Sequence, residues 1–280
     1  MILLRPPGER EVTTAVLNLV DHPWPLLGVL FVLLVVVVEL GHRLRLATAA
    51  NTDEQLREPL VGARDSISLL LSLLLGFTLA MALPRYEDRK KLIIDEANAI
   101  GTTALRARLL PEPARSTTLR LLSDYVDARV EFSTAPVNGQ ELQNSLARTK
   151  QLQEALWQQS VAAAEQNPTP LTAIFVQSLN ESIDLTEKRL ATLENRIPDA
   201  IWILLVLISI LSCLTIGVSE RRRFWFLMVV SPLTIAIVMA LIADLDSPRT
   251  GLIQVGQQSL QRVQQDLKSG VLAPRQTPPR

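Results

Sequence analysis

Ile67-Ser-Leu-Leu-Leu-Ser-Leu-Leu-Leu-Gly-Phe-Thr-Leu-Ala-Met-Ala-Leu83 is an uncharged apolar run, long enough to span most of a hydrocarbon core. Within it, Ser68, Ser72, Gly76 and Ala80 recur every four residues, so small side chains share one helix face. In lipid such a stripe lets another backbone come close, because no large side chain holds it off. One position round lies a bulkier stripe of Leu69, Leu73, Phe77 and Met81. Pro84 and a basic run, Arg85 to Lys91, follow, and the helical pattern resumes through Leu92–Leu110. The spacing predicts one helix that leaves the membrane and continues as the first helix of an extramembrane domain.

Outward from this stretch, composition agrees. Hydrophobic residues make up 48% of the 280 and are clustered, and mean hydropathy is +0.23. Formal net charge is zero, so charge gives no case for nucleic-acid binding. The single cysteine, Cys213, excludes an intrachain disulfide, and two scattered histidines, His22 and His42, do not form a metal set. The polar N-terminal segment, residues 1–22, has no apolar region with a cleavage site behind it, and the first span reads as a retained anchor.

Three more spans are expected. The first, Pro23–Leu40, opens with Trp24 and closes with Glu39 and Arg43, which at i,i+4 spacing read as a helical ion pair. The third is Ala200–Val218. The fourth is Phe224–Ala243, with Phe224, Trp225 and Phe226 as interfacial anchors. Between spans two and three, breaks at Pro111–Pro113, Pro136–Gly139 and Asn167–Pro170 divide an amphipathic region into four helices of about 22 to 27 residues, lengths that suit an antiparallel bundle. On the last of these, Val176, Leu179, Ile183, Thr186, Leu190, Leu193 and Ile197 form the expected packing seam. A glutamine-rich amphipathic helix, Leu252–Leu267, is predicted either on the bundle or at the membrane surface. The fold class is thus an all-α membrane protein, with four transmembrane helices and an extramembrane antiparallel helical bundle between spans two and three. The expected divisions are residues 1–22, spans one and two at 23–84, the bundle at 85–197, spans three and four at 198–243, a C-terminal helix at 244–270 and a disordered tail at 271–280.

Orientation follows from arginine placement. The two short loops hold Arg43, Arg45, Arg57, Arg64, Arg221, Arg222 and Arg223, whereas the segment before span one holds only Arg5 and Arg10. The positive-inside rule puts those loops in the cytoplasm, with the bundle and both termini outside it. The basic run after span two argues the other way but belongs to a long segment.

No nucleotide loop, hydrolase elbow, zinc spacing or histidine triad occurs, so the sequence gives no support for an enzyme and implies neither cofactor nor metal. The densest polar constellation is Asn180, Glu181 and Asp184 with Glu187. With Asp95, Glu96 and Asn98 from a neighbouring helix, its oxygens suit a hard cation, or else form a solvated acidic face beside Lys188 and Arg189. No spacing among them resembles a calcium loop. In the membrane, the spans hold almost no ionisable residues, which argues against a proton relay. The second span either packs tightly against neighbours or lines a narrow pore repeated around a ring of subunits. In the latter case Arg64, Ser68, Ser72, Leu73, Gly76, Phe77 and Met81 are the lining candidates, with Leu73, Phe77 and Met81 as a hydrophobic constriction.

Leu75-Gly-Phe-Thr-Leu-Ala-Met-Ala-Leu83, Asp95-Glu-Ala-Asn-Ala-Ile-Gly-Thr-Thr103, Asn180-Glu-Ser-Ile-Asp-Leu185 followed by Arg189, and Asp246-Ser-Pro-Arg-Thr-Gly251 resemble the bestrophin-like domain family of four-span bacterial and plant membrane proteins. The resemblance runs from the first span to about Leu260. It implies the four-span plan with a helical insert, and, through true bestrophins, a homo-oligomeric anion channel with its second helix at the pore. By that reading the chain sits in a bacterial inner (cytoplasmic) membrane, and its partners are lipid, its own copies and inorganic anions. The alternative is a non-conducting membrane scaffold or sensor whose bundle binds a partner or ligand.

Overall fold

The computed structural model describes residues 23–48, 57–136, 140–219, 225–249 and 251–269. They form helices α1 (Pro23–Thr48), α2 (Arg57–Ala107), α3 (Ala114–Thr134), α4 (Gln140–Gln166), α5 (Pro170–Glu194), α6 (Asp199–Ser219), α7 (Trp225–Asp246) and α8 (Gln258–Lys268). Among the described residues, four helical stretches are long and apolar enough to cross a membrane; three contain the first three expected spans, and the fourth, Met228–Asp246, overlaps the expected Phe224–Ala243. The chain is an all-α membrane protein. The N-terminal segment, the loop arginines Arg221, Arg222 and Arg223, Phe224 and the tail at 271–280 lie outside the described residues.

Pro84 does not end its helix: α2 continues through it as one 51-residue element. A proline here removes one ladder hydrogen bond, and the strong helix formers on both sides carry the helix on.

The chain divides into two compact units, the first comprising described residues 23–86 and 196–254. Its core takes Leu26, Leu30, Leu34 and Val38 of α1, one helical turn apart. Around them pack Leu71, Leu75 and Ala82 of α2, Trp202, Leu205 and Ile208 of α6, and Ala236, Met239 and Ala243 of α7. α1 is the central helix, packed on both α6 and α7. Its tightest approach is to α6, where glycine meets glycine. A Cβ on Gly217 would collide with the Val38 carbonyl oxygen, and one on Gly41 would lie 3.2 Å from the Gly217 Cα. The expected ion pair closes α1, with Arg43 Nε 2.9 Å from Glu39 Oε1.

Two buried carboxylates at the end of α7 fix the chain beyond it. Asp244 accepts from the backbone N–H of Leu252 at 2.8 Å and of Ile253 at 3.2 Å. Gly251, at φ +112°, makes the turn, in a conformation side chains rarely adopt. Asp246 accepts from Ile197 N–H at 3.1 Å and from Arg85 Nη1 at 3.4 Å. These bonds correct one expected boundary. With their N–H groups on Asp244, Leu252 and Ile253 lie outside a helix, so α8 begins at Gln258 rather than Leu252.

The second unit comprises described residues 87–195 and 255–269. Ile93, Ala97, Ile100, Ala104 and Ala107 of α2 pack with Leu119, Leu122 and Val126 of α3, Leu156 of α4, and Phe175 and Leu179 of α5. α3 packs on α4 and α8, and α4 packs on α5. Thr169 caps α5 by accepting from Thr172 N–H at 3.2 Å, with Pro170 in the first turn. The buried face of α5, Thr172, Phe175, Ser178, Leu179, Ser182, Thr186 and Arg189, takes in Leu179 and Thr186 of the predicted seam, and Val176 and Ile183 pack half-buried against the same core. Small hydroxyl side chains widen that face and let α5 come close to α2. Thr103 Oγ1 of α2 lies 2.9 Å from both the Ser178 carbonyl and Ser182 Oγ, a contact that bulkier residues would prevent. α8 lies on the bundle, burying Leu260 and Leu267, with Gln264 Nε2 and Lys268 Nζ 2.6 Å and 2.8 Å from Asp127 Oδ1.

Candidate functional site

In the first unit the sequence directs attention to α2. Its Leu71, Leu75 and Ala82 face the core, which turns Leu69, Leu73, Phe77 and Met81 outward, and Leu69 and Phe77 are 72% and 60% exposed. Beside this bulky stripe runs the small one. Ser68 Oγ lies 3.3 Å from Ser212 Oγ of α6, Ser72 donates to the Ser68 carbonyl at 2.9 Å, and nothing stands within 4 Å of a Cβ built on Gly76. Ser68, Ser72 and Gly76, with Ser212 of α6 and Ser231 and Thr234 of α7, line an open groove of about 450 Å³. Within the single chain the small stripe therefore borders a groove, and the close backbone crossing belongs to Gly41 and Gly217. Arg64, at the start of this face, pairs with Asp65, Nη2 to Oδ1 2.9 Å.

In the second unit α2, α3 and α5 converge on Glu96, which is 0% exposed. Arg129 Nε donates to Oε1 and Arg189 Nη1 to Oε2, both at 2.6 Å, and Thr186 Oγ1 lies 3.0 Å from Oε1. Tyr125 and Gln153 extend the network: the phenol is 2.6 Å from Thr186 Oγ1, and Gln153 Nε2 is 3.4 Å from the phenol. Arg189 Nη2 also donates to Ser133 Oγ and Gln257 Oε1, each at 3.0 Å. The Phe132 ring lies 4.7 Å from the Arg129 guanidinium carbon. Burial alone would raise the Glu96 carboxyl, but the two guanidiniums outweigh it and hold the group below the ordinary carboxylate range. Burial pushes the Tyr125 phenol up, so it stays protonated.

The candidate cation ligands are not brought together. Glu96 is buried with both oxygens engaged, whereas Asn98, Asn180, Glu181 and Asp184 are exposed and Asp95 half-buried. Asn180 Nδ2 donates to Asp184 Oδ2 at 3.0 Å. Among the described residues no group of three or more carboxylate, histidine or cysteine side chains is placed to hold a metal. Glu96, offered by the sequence as a cation ligand, has both carboxylate oxygens engaged by arginine instead. Arg129, which completes the cluster, stands in none of the motifs. The available signal was its place on the apolar face of α3, four residues after Tyr125 and three before Phe132.

The chain is similar in fold to solved structures of a bacterial bestrophin homologue from Klebsiella pneumoniae. One form aligns with TM-score 0.62 at 14% identity, over 85% of this chain and 97% of the other. Two single-residue variants each align with TM-score 0.65. One is 13% identical over 85% and 96% of the two chains, the other 12% identical over 87% and 99%. No curated protein matches by sequence. A family model, the bestrophin-like domain, matches residues 28–260. That span takes in α1 from Gly28 onward, α2 to α7, the Glu96 cluster and the Asp244 and Asp246 turn, and the chain belongs to the bestrophin-like domain family.

Proposed function

We propose that the protein is a homo-oligomeric ion channel, anion-favouring, with α2 near the symmetry axis. The observation that carries this reading is the pair of stripes on α2: exposed Leu69, Leu73, Phe77 and Met81 lie beside Ser72, Gly76 and the open groove. The small-residue trough lets a neighbouring copy approach closely, and the bulky ridge beside it is then left to face the axis. Such head-to-tail docking generates rings when the rotation closes. Around an axis, Leu73, Phe77 and Met81 form the hydrophobic constriction that gates by dewetting. Arg64 supplies positive potential at one mouth, reduced by its pairing with Asp65. Family membership supports the same assignment, and nothing in the sequence supports catalysis.

The proposed setting is a bacterial inner membrane, with the bundle and both termini outside the cytoplasm as the loop arginines direct. Halide flux into liposomes carrying the purified protein tests the reading. Flux above that of empty vesicles is expected, raised by Phe77→Ala and less anion-selective with Arg64→Glu. Absence of flux leaves a non-conducting scaffold or sensor, and flux indifferent to both substitutions removes α2 from the conducting path.

A further inference from the structure

We propose that the buried cluster of Arg129, Arg189 and Glu96 holds a small monovalent inorganic anion, chloride in the first instance, on Arg129 Nη2. The argument begins with charge. Arg129 and Arg189 are 1% and 5% exposed, and among the described residues the one carboxylate hydrogen-bonded to them is Glu96. Their other partners are neutral: the Ser133 hydroxyl and Gln257 amide oxygen on Arg189, and the Phe132 ring against Arg129. Thr186, which also touches Glu96, is neutral, and the Tyr125 phenol behind it keeps its proton. Among the described residues the cluster therefore holds two positive charges and one negative one, almost entirely buried.

Geometry locates the imbalance. Arg129 spends Nε on Glu96, while its Nη2 is fully buried and has no hydrogen-bond acceptor among the described residues. A buried donor without an acceptor is costly, and more so on an ion. Guanidinium does not relieve the charge by releasing a proton. The aromatic ring takes up part of the charge but offers a π face rather than a lone pair. A water molecule would accept from Nη2 but leave the charge in place. A single spherical anion does both, and its unit charge equals the excess. Divalent phosphate or sulfate would overshoot that excess. The assignment concerns the bundle and stands apart from any pore at α2.

The test uses the full chain in detergent. Thermal unfolding is followed in sodium chloride and in sodium gluconate at equal ionic strength, and crystals grown in bromide are examined for anomalous scattering. The expected result is an unfolding temperature about 3 °C higher in chloride, with a bromide peak in hydrogen-bonding reach of Arg129 Nη2. Arg129→Met is expected to abolish both, whereas Arg148→Gln, which removes an exposed pair with Glu131, retains both. Equal stability in the two salts, or ordered water alone at Nη2 in bromide crystals, overturns the proposal. If Arg129→Met does not fold, the bromide peak in the unsubstituted chain decides the matter.

Discussion

Glu96→Gln keeps the shape of the side chain but removes the negative charge to which Arg129 and Arg189 both donate. Two buried guanidiniums are then left to repel each other, and breaking a buried pair from one side costs about 3–5 kcal/mol. Chemical denaturation of the purified protein should show a loss of that size. The same carboxylate sets an acid limit. Its pKa is lowered on folding, so its contribution to stability is complete above the ordinary value of 4.5 and is lost as pH falls through the lower folded value. Unfolding temperature measured across that range should fall for the parent chain and be flatter for Glu96→Gln. At this scale the sequence was half legible. Glu96 and Arg189 lie in quoted motifs, but pairing depends on which way a side chain faces, and adjacent acids such as Asp95 and Glu96 differ in just that.

α1 and α6 touch through backbone at Gly41 and Gly217, so an added methyl has nowhere to go. Gly217→Ala should destabilise the membrane unit by about 1–3 kcal/mol as the helices are forced apart, seen as a lower unfolding temperature in detergent. Gly76→Ala should not, since nothing stands near its Cβ position in the single chain and alanine favours the helix. The turn after α7 gives a second check on this scale. Asp246→Ala strands Ile197 N–H, and a loss of about 1–3 kcal/mol is expected by the same measurement. Helix existence was legible from apolar runs and from proline and glycine breaks. The glycine crossing was not, because single glycines far apart in sequence announce no partner. On α5 the seam was legible at Val176, Leu179, Ile183 and Thr186, which pack on or in the core, but hydropathy gave no sign of the small hydroxyl residues that permit close approach.

For the whole molecule, the predictions concern assembly and orientation. Gly76→Leu fills the trough on α2 without meeting any atom of its own chain. It should leave helical content unchanged by circular dichroism and shift the oligomer to smaller species by light scattering. Persistence of the full-size oligomer would remove the docking argument for α2. Reporter fusions at Asn138 and Arg222 should report opposite sides of the membrane, with Arg222 in the cytoplasm. The four-span plan with an inserted helical region was readable from the chain, since hydrophobic length and breaks decide it. Pairing between copies was not, because it depends on surfaces that look alike to lipid and to protein.

The bond from Arg189 to Gln257 has a consequence in time. Its partners are 68 residues apart, and both α6 and α7 are made between them. At typical elongation rates of 5–20 residues per second, Arg189 waits roughly 3–14 s on the ribosome before Gln257 exists. During that interval Glu96, Arg129 and Arg189 are all present, but α8 is not, and Leu260 and Leu267 have yet to cover their side of the core. A nascent chain stalled in its last two spans therefore carries an unfinished bundle with an exposed apolar face. A protease or chaperone that inspects the bundle is in effect reading whether membrane insertion has been completed.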